Sequence, residues 1–445
     1  MIRRHPTDDE RVRALRGFAS LKGNGCYLGA AGSSPVFSPP EHCALVLGPP
    51  RSGKTSGIVV PNVLAARGTA VISTKRDVLD ATVALRGRLG HCLVFDPSGT
   101  LEPPAGTHSV GWSPLRAARR WSAAVAVAEA MVGAARPQNS SGESAHWTER
   151  ACALIAPLLH SAALEGAAMA EVVGWINRRE SERALKVLKA ANAELAHDLL
   201  TGVTETDHRE LSGIWSTASS VLSAYRTAES LESAERPPIE LAGLLEGNDT
   251  LYVIASSENQ RHCAPLVAGL VRELRAAAYA RHNAGNGSGA PLLLVLDELA
   301  NIAPLHDLPE LISEGGSQGL VTLACLQDLS QARQRWGVAA EGFLSLFGAT
   351  VVLGGLGDLH TLEAISVLAG DHDARTRSTT RSRFGIRTSE TSATRRQRLL
   401  PPNAVAALPR GNGVLVQSGR VRRIAVPAYL GATPPGRAAH LHASR

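Results

Sequence analysis

The sequence has no apolar run long enough to cross a membrane. A spanning helix needs about 18 uninterrupted apolar residues, and no stretch of the 445 residues reaches that length. The basic start, MIRRHPTDDERVR, is not followed by an apolar segment, so it is not a secretory signal. With 44% hydrophobic and 19% charged residues, the composition excludes a wholly disordered chain. It indicates a globular protein of about two or three domains.

Cysteine is scarce and its spacing shows no motif. The six cysteines are far apart and form no C-x-x-C pair. Such spacing argues against a disulfide framework and against a zinc site. Most of them lie in apolar segments, so we expect buried, reduced thiols.

Lysine is also rare, although the chain is basic. Of its 46 basic residues only five are lysines, and the net charge is +6. The charge is unevenly distributed, with +11 over residues 371–445 and −5 over residues 1–370. A basic C-terminal segment on a slightly acidic body suggests a polyanionic partner. An arginine-rich composition with a solvated tail would give the same pattern, so charge alone does not decide.

Short apolar runs separated by helical segments predict the fold class. Runs of about six apolar residues without alternation are typical of strands buried on both faces of a parallel sheet. Such runs lie at 43–48, 69–74, 91–96, 250–255, 292–297, 320–327 and 349–355. The residues between Pro114 and Pro238 have helical spacing and no convincing strand. The sequence therefore predicts a parallel α/β domain interrupted by an all-α inserted domain.

The change of pattern along the chain also predicts boundaries. Residues 1–40 are interpreted as a leader segment and loop, because they are rich in glycine and proline. The α/β domain would comprise residues 41–114 and 239–370, and the all-α domain residues 115–238. Residues 371–445 form a basic C-terminal segment that returns to the α/β domain. Within it, the Ser/Thr/Arg-rich stretch 371–398 is either disordered or a mobile hairpin, and residues 413–426 read as two strands around a Ser-Gly turn.

Two features of the helical region bear on function. Leu188, Ala191, Leu195 and Leu199 recur every three or four residues, which predicts one apolar helix face. Four tryptophans lie in the same region, at positions 121, 147, 175 and 215. They are candidates for stacking on single-stranded DNA. Core packing is favoured, because aromatic residues in helices are usually buried.

A phosphate-binding loop follows the first predicted strand. Gly48-Pro49-Pro50-Arg51-Ser52-Gly53-Lys54-Thr55 fits the pattern G-x-x-x-x-G-K-[ST], with Ser56 next along the predicted helix. Glycine lets backbone N–H groups approach phosphate oxygens, and the helix N-terminus favours an anion. Lys54 is placed to reach the β- and γ-phosphates of ATP. The Thr55 hydroxyl is placed to ligate Mg²⁺.

Polar residues at the ends of two later strands complete the predicted site. Asp297 and Glu298 follow the apolar run 292–296, where an aspartate can hold Mg²⁺ through water and the adjacent glutamate can polarise the attacking water. Gln327 ends the next strand and is interpreted as a γ-phosphate sensor, because ligands bind at the carboxyl ends of parallel strands. A helix N-cap pair and a loop-start glutamine are the alternative explanations. Lys54, Glu298 and Gln327 are the predicted catalytic residues, and Thr55 and Asp297 the predicted metal ligands.

Several segments resemble one family. They are the P-loop followed by Val60-Pro61-Asn62, the segments VFDPSG (94–99), GWSPL (111–115) and HWTERACALIAPLL (146–159), the long phrase 296–337, and the stretch from Arg398-Leu399-Leu400-Pro401 to Leu408. Together they are similar to the TraG/TraD-type coupling proteins of conjugative DNA transfer. The resemblance extends from about Gly25 to Val426, and its most specific part runs from Asp297 to Gly337.

This resemblance implies a fold and a function. Such proteins are similar to RecA-like hexameric motors that bind ATP between subunits, so Lys54 and Thr55 become Walker A residues and Asp297 and Glu298 Walker B residues. The implied function is an ATPase and DNA translocase that delivers a relaxase–DNA substrate to a type IV secretion channel. The implied partners are sequence-tolerant DNA, the relaxase, channel components and further copies of the chain as a homo-hexamer. The expected location is cytoplasmic, with contact to the membrane only through a partner.

The sequence departs from the family pattern in two respects. Family members usually begin with transmembrane helices, and this sequence has none, so we expect a separate anchor, an unanchored protein or a misplaced gene start. Many members also carry an arginine finger in the segment that here reads Glu314 to Gly319 without arginine. Either Arg333 or Arg335 substitutes for it, or turnover is slow. Two alternatives to the coupling motor stay open: a HerA/FtsK-like pump for double-stranded DNA, and a nucleotide-binding adaptor that recruits the relaxase without appreciable hydrolysis.

Overall fold

A computed structural model describes residues 8–135, 142–256, 258–286, 289–381 and 388–429. Its centre is a twelve-stranded mixed sheet in the order β2-β1-β14-β13-β10-β3-β9-β8-β4-β7-β5-β6, and β11 pairs with β12 separately. The strands are β1 (Tyr27–Ala31), β2 (Ser34–Phe37), β3 (Ala44–Leu47), β4 (Thr69–Ser73), β5 (Cys92–Phe95), β6 (His108–Ser109), β7 (Thr250–Ile254), β8 (Leu292–Leu296), β9 (Leu320–Leu326), β10 (Ala349–Leu353), β11 (Asp371–Arg381), β12 (Thr388–Arg398), β13 (Asn412–Gln417) and β14 (Arg420–Ala425).

Helices connect the strands and cover the sheet. They are α1 (Asp8–Lys22), α2 (Val60–Ala65), α3 (Asp77–Arg86), α4 (Pro114–Ala117), α5 (Trp121–Ala135), α6 (Gly142–Glu165), α7 (Met169–Arg178), α8 (Glu182–Ala190), α9 (Glu194–Thr204), α10 (His208–Val221), α11 (Ala228–Glu235), α12 (Leu241–Leu245), α13 (Gln260–Arg281), α14 (Leu299–Ile302), α15 (Leu308–Glu314), α16 (Leu329–Trp336), α17 (Phe343–Leu346), α18 (Leu359–Ala369) and α19 (Pro402–Ala406).

The strands from β10 to β6 in the sheet order run parallel. Their side chains alternate between two apolar clusters. Leu45 and Leu47 of β3 pack in one cluster, while Ala44 and Val46 pack in the other. A strand buried on both faces must be apolar throughout, and this is the pattern of the uninterrupted runs in the sequence. The predicted α/β fold with a parallel sheet is confirmed for this part of the molecule.

The remaining strands make the sheet mixed. β13 pairs antiparallel with β10, and β14 pairs antiparallel with β13. The two strands predicted around a Ser-Gly turn are confirmed, with Ser418 and Gly419 between them. Because β13 lies beside β10, the C-terminal segment returns to the main sheet.

The interpretation of the leader as a loop was wrong from residue 8 onward. Helix α1 precedes β1 and β2, and β1 extends the sheet by pairing with both β2 and β14. One of the glycines that suggested a loop has a packing cause. At Gly29, which has φ +138°, a Cβ atom would lie 2.5 Å from the carbonyl oxygen of Ala425 on β14. Residues 1–7 lie outside the described residues.

Helices α4 to α12 separate β6 from β7 in the chain. Apolar side chains of this region, such as Leu154, belong to the same cluster as residues of one sheet face. The prediction that tryptophans serve the core is confirmed for Trp175 and Trp215, which are each 3% exposed. Trp121 and Trp147 are partly buried and pack against that cluster. Residues 137–144, whose sequence PQNSSGES is typical of a loop, lie partly outside the described residues.

The predicted apolar stripe in the helical region was wrong. Leu188 is buried, but Leu195 is 73% exposed. The chain leaves the helix after α8 and starts α9 at Glu194, with Asn192 between them at φ +55°. This break rotates the face, so the buried positions of α9 are Ala196, Leu200 and Val203. A periodic pattern of apolar residues that spans the break between two helices does not correspond to the buried face of either helix.

The Arg-rich stretch forms two paired strands. β11 and β12 are antiparallel from Asp371 opposite Arg398 to Arg381 opposite Thr388. The sequence left disorder or a hairpin open for this stretch, and the structure shows two paired antiparallel strands. Residues 382–387 and the side chains of residues 375–393 lie outside what is described.

No helix within the described ranges combines the length and the apolar character that a membrane crossing requires.

Candidate functional site

Three neighbouring parallel strands end at the predicted site residues. Gly48 follows β3, Gln327 follows β9, and Asp297 follows β8, in the order β3-β9-β8 across the sheet. Backbone hydrogen bonds continue past the strand ends: Gly48 N–H donates to Leu326 O at 3.2 Å, and Asp297 N–H donates to Ile72 O at 3.0 Å. The residues between Pro49 and Ser56, together with Asp297, Glu298 and Gln327, line one cavity of about 650 Å³.

The loop after β3 has the backbone geometry that a phosphate cradle needs. Arg51 has φ +64° and Gly53 has φ +101°. A Cβ atom on Gly48 would lie 2.6 Å from Ser52 Oγ, so a larger residue there would displace the Ser52 hydroxyl from its place in the loop. Lys54 Nζ donates to the carbonyl oxygens of Gly48 and Pro49, which keeps the ammonium group inside the loop. A π-helical turn, Thr55–Val59, leads directly into α2.

These residues fit a bound nucleotide phosphate. Ser52 Oγ lines the cavity and is buried without a hydrogen-bond partner among the described residues. A buried hydroxyl without a partner is costly, and a phosphate oxygen would accept its hydrogen bond. The Lys54 ammonium and the N-terminus of the helical segment that follows it are both suited to an anion.

Asp297 and Thr55 form the part of the site that fits a cation. Thr55 Oγ1 donates to Asp297 Oδ1 at 3.4 Å, and Ser73 Oγ donates to Asp297 Oδ2 at 3.2 Å. Burial raises the pKa of Asp297, and the neighbouring Glu298 charge raises it further. Oxygen ligands from a carboxylate and a hydroxyl are those that Mg²⁺ prefers. A cation would therefore offset the unfavourable burial of this carboxylate.

Glu298 and Gln327 are held by side chains from the following helices. Asn301 Nδ2 of α14 donates to Glu298 Oε2 at 3.3 Å. The backbone N–H of Gln327 donates to Gln331 Oε1 of α16 at 2.9 Å. The Asn301 amide therefore positions the carboxylate of Glu298, and the Gln331 amide positions the backbone of Gln327. Both predicted catalytic residues line the cavity.

The cavity also includes residues that the sequence reasoning missed. They include Thr74, Lys75, Gln260, Asn301, Arg410 and Tyr429. Thr74 and Lys75 follow β4, so the rule that identified Gln327 would have found them. Arg410 and Tyr429 come from the C-terminal segment, where no local motif marks them. Tyr429 N–H donates to Ser56 O at 2.9 Å, which joins that segment to the loop.

The two arginines considered as substitute fingers are bonded within their own chain. Arg333 Nη2 lies 2.9 Å from Asp358 Oδ2, and Arg335 Nη2 donates to Ala134 O at 2.9 Å. The segment from Glu314 to Gly319 precedes β9, at the opposite end of the strand from Gln327. A Cβ atom on Gly316 would lie 1.6 Å from the carbonyl oxygen of Glu41, so this glycine serves a close backbone approach.

Comparisons with known proteins agree with this geometry. A family model described as the TraM recognition site of TraD and TraG matches residues 291–410. A conjugal transfer protein TraG of Escherichia coli is 24% identical over 319 residues, which are 66% of this chain and 49% of that protein. The chain spans about half the length of the curated relatives it matches.

Solved structures show the same fold. The unbound conjugative coupling protein TrwBdeltaN70 matches with a TM-score of 0.65 and 20% identity, over 95% of this chain and 92% of that one. TrwB in complex with ADP and Mg²⁺ matches with a TM-score of 0.65 and 19% identity, over 94% of both chains.

The fold belongs to the α/β class with a mostly parallel sheet, as in the TrwB structures, and the loop after its strand β3 carries the P-loop pattern. Within that class, the resemblance to the TraG/TraD-type conjugative coupling proteins is confirmed.

Replacing Asp297 with asparagine is expected to stabilise the chain without ligands. Because the pKa of Asp297 is raised on folding, the folded state binds the proton more tightly and loses stability as the pH rises from 3.8 through the raised pKa. Asp297→Asn has the same shape and does not titrate. Its thermal midpoint should exceed that of the wild type at pH 7, by about 2–4 °C for each kcal/mol gained in the free energy of unfolding. The difference should become smaller in acid. Asp198→Asn, at an 82% exposed side chain, is the control. An Asp297→Asn protein that melts at or below the wild-type temperature at pH 7 would refute this account.

Proposed function

We propose that the chain is an ATP-driven DNA translocase of the conjugative coupling type. The observation that supports it is the convergence of Lys54, Asp297, Glu298 and Gln327 on one cavity at adjacent strand ends. In this proposal Lys54 holds the terminal phosphates, and Thr55 and Asp297 hold Mg²⁺. Bound Mg²⁺ would neutralise phosphate charge during transfer. Glu298 accepts a proton from the attacking water, and Gln327 senses the γ-phosphate.

The partners belong to the same proposal. The chain would work as a homo-hexamer that receives a relaxase–DNA substrate and passes it to a type IV secretion channel. Its position at the inner face of the membrane would depend on those partners. Two proteins that resemble this chain, the conjugal transfer protein TraG and the conjugative coupling protein TrwB, support the link to conjugation.

A nucleotide-binding adaptor is the second candidate. It is favoured by the segment Glu314–Gly319, which has no arginine, and by the intrachain bonds of Arg333 and Arg335. Without a finger from a neighbour, hydrolysis would lose a contact worth about 10³–10⁵ in rate. The Glu298 carboxylate beside the cavity argues for the enzyme, because an adaptor has no use for a proton acceptor there.

Specific activity as a function of protein concentration separates the two candidates. A site completed by a neighbour requires assembly, so phosphate release per mole of chain should rise with concentration and then saturate. DNA that binds the ring should shift this curve to lower concentration by mass action. Phosphate release that is measurable but constant per mole would rule out a shared site, and no release at any concentration would favour the adaptor.

Salt dependence tests how the chain holds DNA. Arg395, Arg396 and Arg398 lie on β12, and the side chain of Arg396 is 79% exposed although it pairs with Asp371 at 3.2 Å. An exposed pair is worth only about 0–1 kcal/mol, so phosphate can compete for the arginine. Replacing all three with alanine should reduce the log–log salt slope of DNA binding by about two units.

A control variant shows whether the effect of the triple variant is specific to β12. Arg178→Ala, at a 58% exposed side chain of the helical region, should leave the slope unchanged. Basal ATP hydrolysis should survive in both variants, because none of these residues lines the nucleotide cavity. If the triple variant has the wild-type slope, β12 does not hold the DNA.

A further inference from the structure

A second cavity of about 460 Å³ lies beside the nucleotide cavity. Gln260 and Asn301 line both cavities. The second one is enclosed by the end of α5, the start of α13, and helices α14 and α16. Its volume is in the range of small-ligand sites, which runs from about 300 to 1,000 Å³. The residues predicted from the sequence do not include its walls, apart from Arg335.

Two arginines give this cavity its charge. Arg261 is the second residue of α13, and Arg335 is the last but one of α16, 74 positions further along the chain. Among the described residues that line the cavity, none is acidic. Burial lowers the pKa of Arg335, and the charge of Arg261 lowers it further. The fold thus holds two like charges together without a lining carboxylate, an arrangement that an anion would relieve.

The backbone and the amide side chains add to the preference for an anion. The 22-residue helix α13 begins at the cavity with Gln260 and Arg261. The first N–H groups of a helix have no acceptor within it, and the N-terminus favours negative charge. Gln331 and Gln334 supply further polar side chains, and the apolar lining consists only of alanines. A nucleic acid phosphate suits such a wall, because its charged oxygens accept hydrogen bonds from arginine and amide side chains without needing apolar contacts.

The walls of this cavity touch the predicted catalytic residues directly. Asn301 lines the cavity and donates to Glu298 Oε2 at 3.3 Å. Gln331 also lines it and accepts from the backbone N–H of Gln327 at 2.9 Å. A ligand that moved either amide would change the position of Glu298 or of Gln327.

We propose that this second cavity binds a phosphate of a nucleic acid strand through Arg261 and Arg335, and that Asn301 and Gln331 act as positioning residues which transmit its occupancy to the nucleotide site. Arginine is suited to this role, because its planar group contacts two phosphate oxygens at once. The binding step is independent of any activity. The transmission step rests on the proposed ATP hydrolysis. Through this step, DNA bound in the second cavity would stimulate turnover at the nucleotide site.

Direct binding of a fluorescent oligothymidylate to the full chain tests the site. Arg261→Gln and Arg335→Gln should each weaken binding about tenfold, as expected when a hydrogen bond to a charged group is lost. Because both arginines contact one phosphate, each variant should flatten the single-strand salt slope, and the two together by about 0.7. Arg261→Lys should retain most of the affinity, since it keeps the charge. Arg209→Gln, at an exposed arginine of α10, is the matched control. Because Arg261 is exposed, its variants should fold normally. They therefore test the site even if Arg335→Gln fails to fold.

Competition identifies the anion. Polyglutamate at equal charge should displace the oligonucleotide poorly, and Arg261→Gln should leave the affinity for ADP unchanged. Two results would overturn the assignment: efficient displacement by polyglutamate, or an Arg261→Gln variant that loses ADP affinity and keeps the wild-type affinity for the oligonucleotide. Wild-type affinity for the oligonucleotide in both glutamine variants would overturn the site itself.

The ratio of ATP turnover with and without oligonucleotide tests the transmission. Asn301→Ala should lower this ratio while oligonucleotide affinity stays at the wild-type value, which a purely structural role would not produce. An Asn301→Ala protein with the wild-type ratio would overturn the transmission step. Failure of the proposed function has a different signature. The wild type would then release no phosphate either with or without nucleic acid, while Arg261→Gln would still weaken oligonucleotide binding.

Discussion

Glu298→Gln is expected to bind ATP and to lose hydrolysis by at least about 100-fold, the usual contribution of a positioned proton acceptor. The glutamine keeps the shape of the side chain, and its amide oxygen can still accept the hydrogen bond from Asn301 Nδ2. Only the basic carboxylate is removed, so nucleotide affinity should remain near the wild-type value. The measurement is steady-state phosphate release together with a titration of a fluorescent ATP analogue.

Lys54→Ala separates binding from chemistry in the same assay. The alanine removes the ammonium group that the carbonyl oxygens of Gly48 and Pro49 hold in the loop. Both nucleotide affinity and turnover should therefore fall, whereas Glu298→Gln loses only turnover. Glu310→Gln, at an exposed carboxylate on α15, should match the wild type in both measurements. Wild-type turnover in Glu298→Gln would show that this carboxylate is not the proton acceptor.

Arg86→Met is expected to cause the largest loss of stability, at least about 3 kcal/mol. Arg86 is fully buried at the end of α3. Its guanidinium donates to Thr250 Oγ1 at 2.6 Å and to the carbonyl oxygens of Ala66, Arg67 and Asn248. Methionine would leave these acceptors without a partner, at about 1–3 kcal/mol for each one that stays buried.

The location of Arg86 explains the size of the effect. Its acceptors lie in the segments that lead into β4 and β7, so one side chain joins the loop after α2 to the point where the chain returns from the helical region. Arg88→Met is the matched control, because Arg88 is a 45% exposed side chain whose bond to Asp9 at 2.8 Å lies on the surface. Chemical denaturation and limited proteolysis of both variants would decide. Equal stability of Arg86→Met and Arg88→Met would contradict this account.

The meeting of the predicted site residues at one cavity follows from the sequence, because each of them adjoins a buried strand. Lys54 sits in a loop with a known pattern, and Asp297 and Gln327 follow apolar runs that predict parallel strands. The end of such a strand has one location, the carboxyl edge of the sheet. Local signals were therefore enough to bring distant residues together. The apolar face of α13 can be read from the sequence for the same reason, since Val267, Leu270, Leu274 and Ala278 recur every three or four residues and are all buried within one unbroken helix.

The features that the sequence did not predict depend on tertiary packing. β1 carries a glycine because the backbone of β14 approaches it closely, and no local rule distinguishes that glycine from one in a loop. Arg261 and Arg335 meet only because α13 and α16 both reach the same edge of the sheet. Arg86 looks like any helix-terminal arginine until its burial is seen. In each case the decisive partner is far away in the chain.

Displacement of streptavidin from a biotinylated DNA strand tests the central claim most directly, because it requires ATP hydrolysis to produce movement along DNA. The account predicts that the wild type displaces streptavidin only with hydrolysable ATP and Mg²⁺, and that Glu298→Gln binds the same strand without displacing it. Single-stranded and double-stranded substrates measured side by side would separate the coupling motor from a double-strand pump. A wild type that hydrolyses ATP and binds the strand, yet leaves streptavidin in place under every condition, would contradict the account.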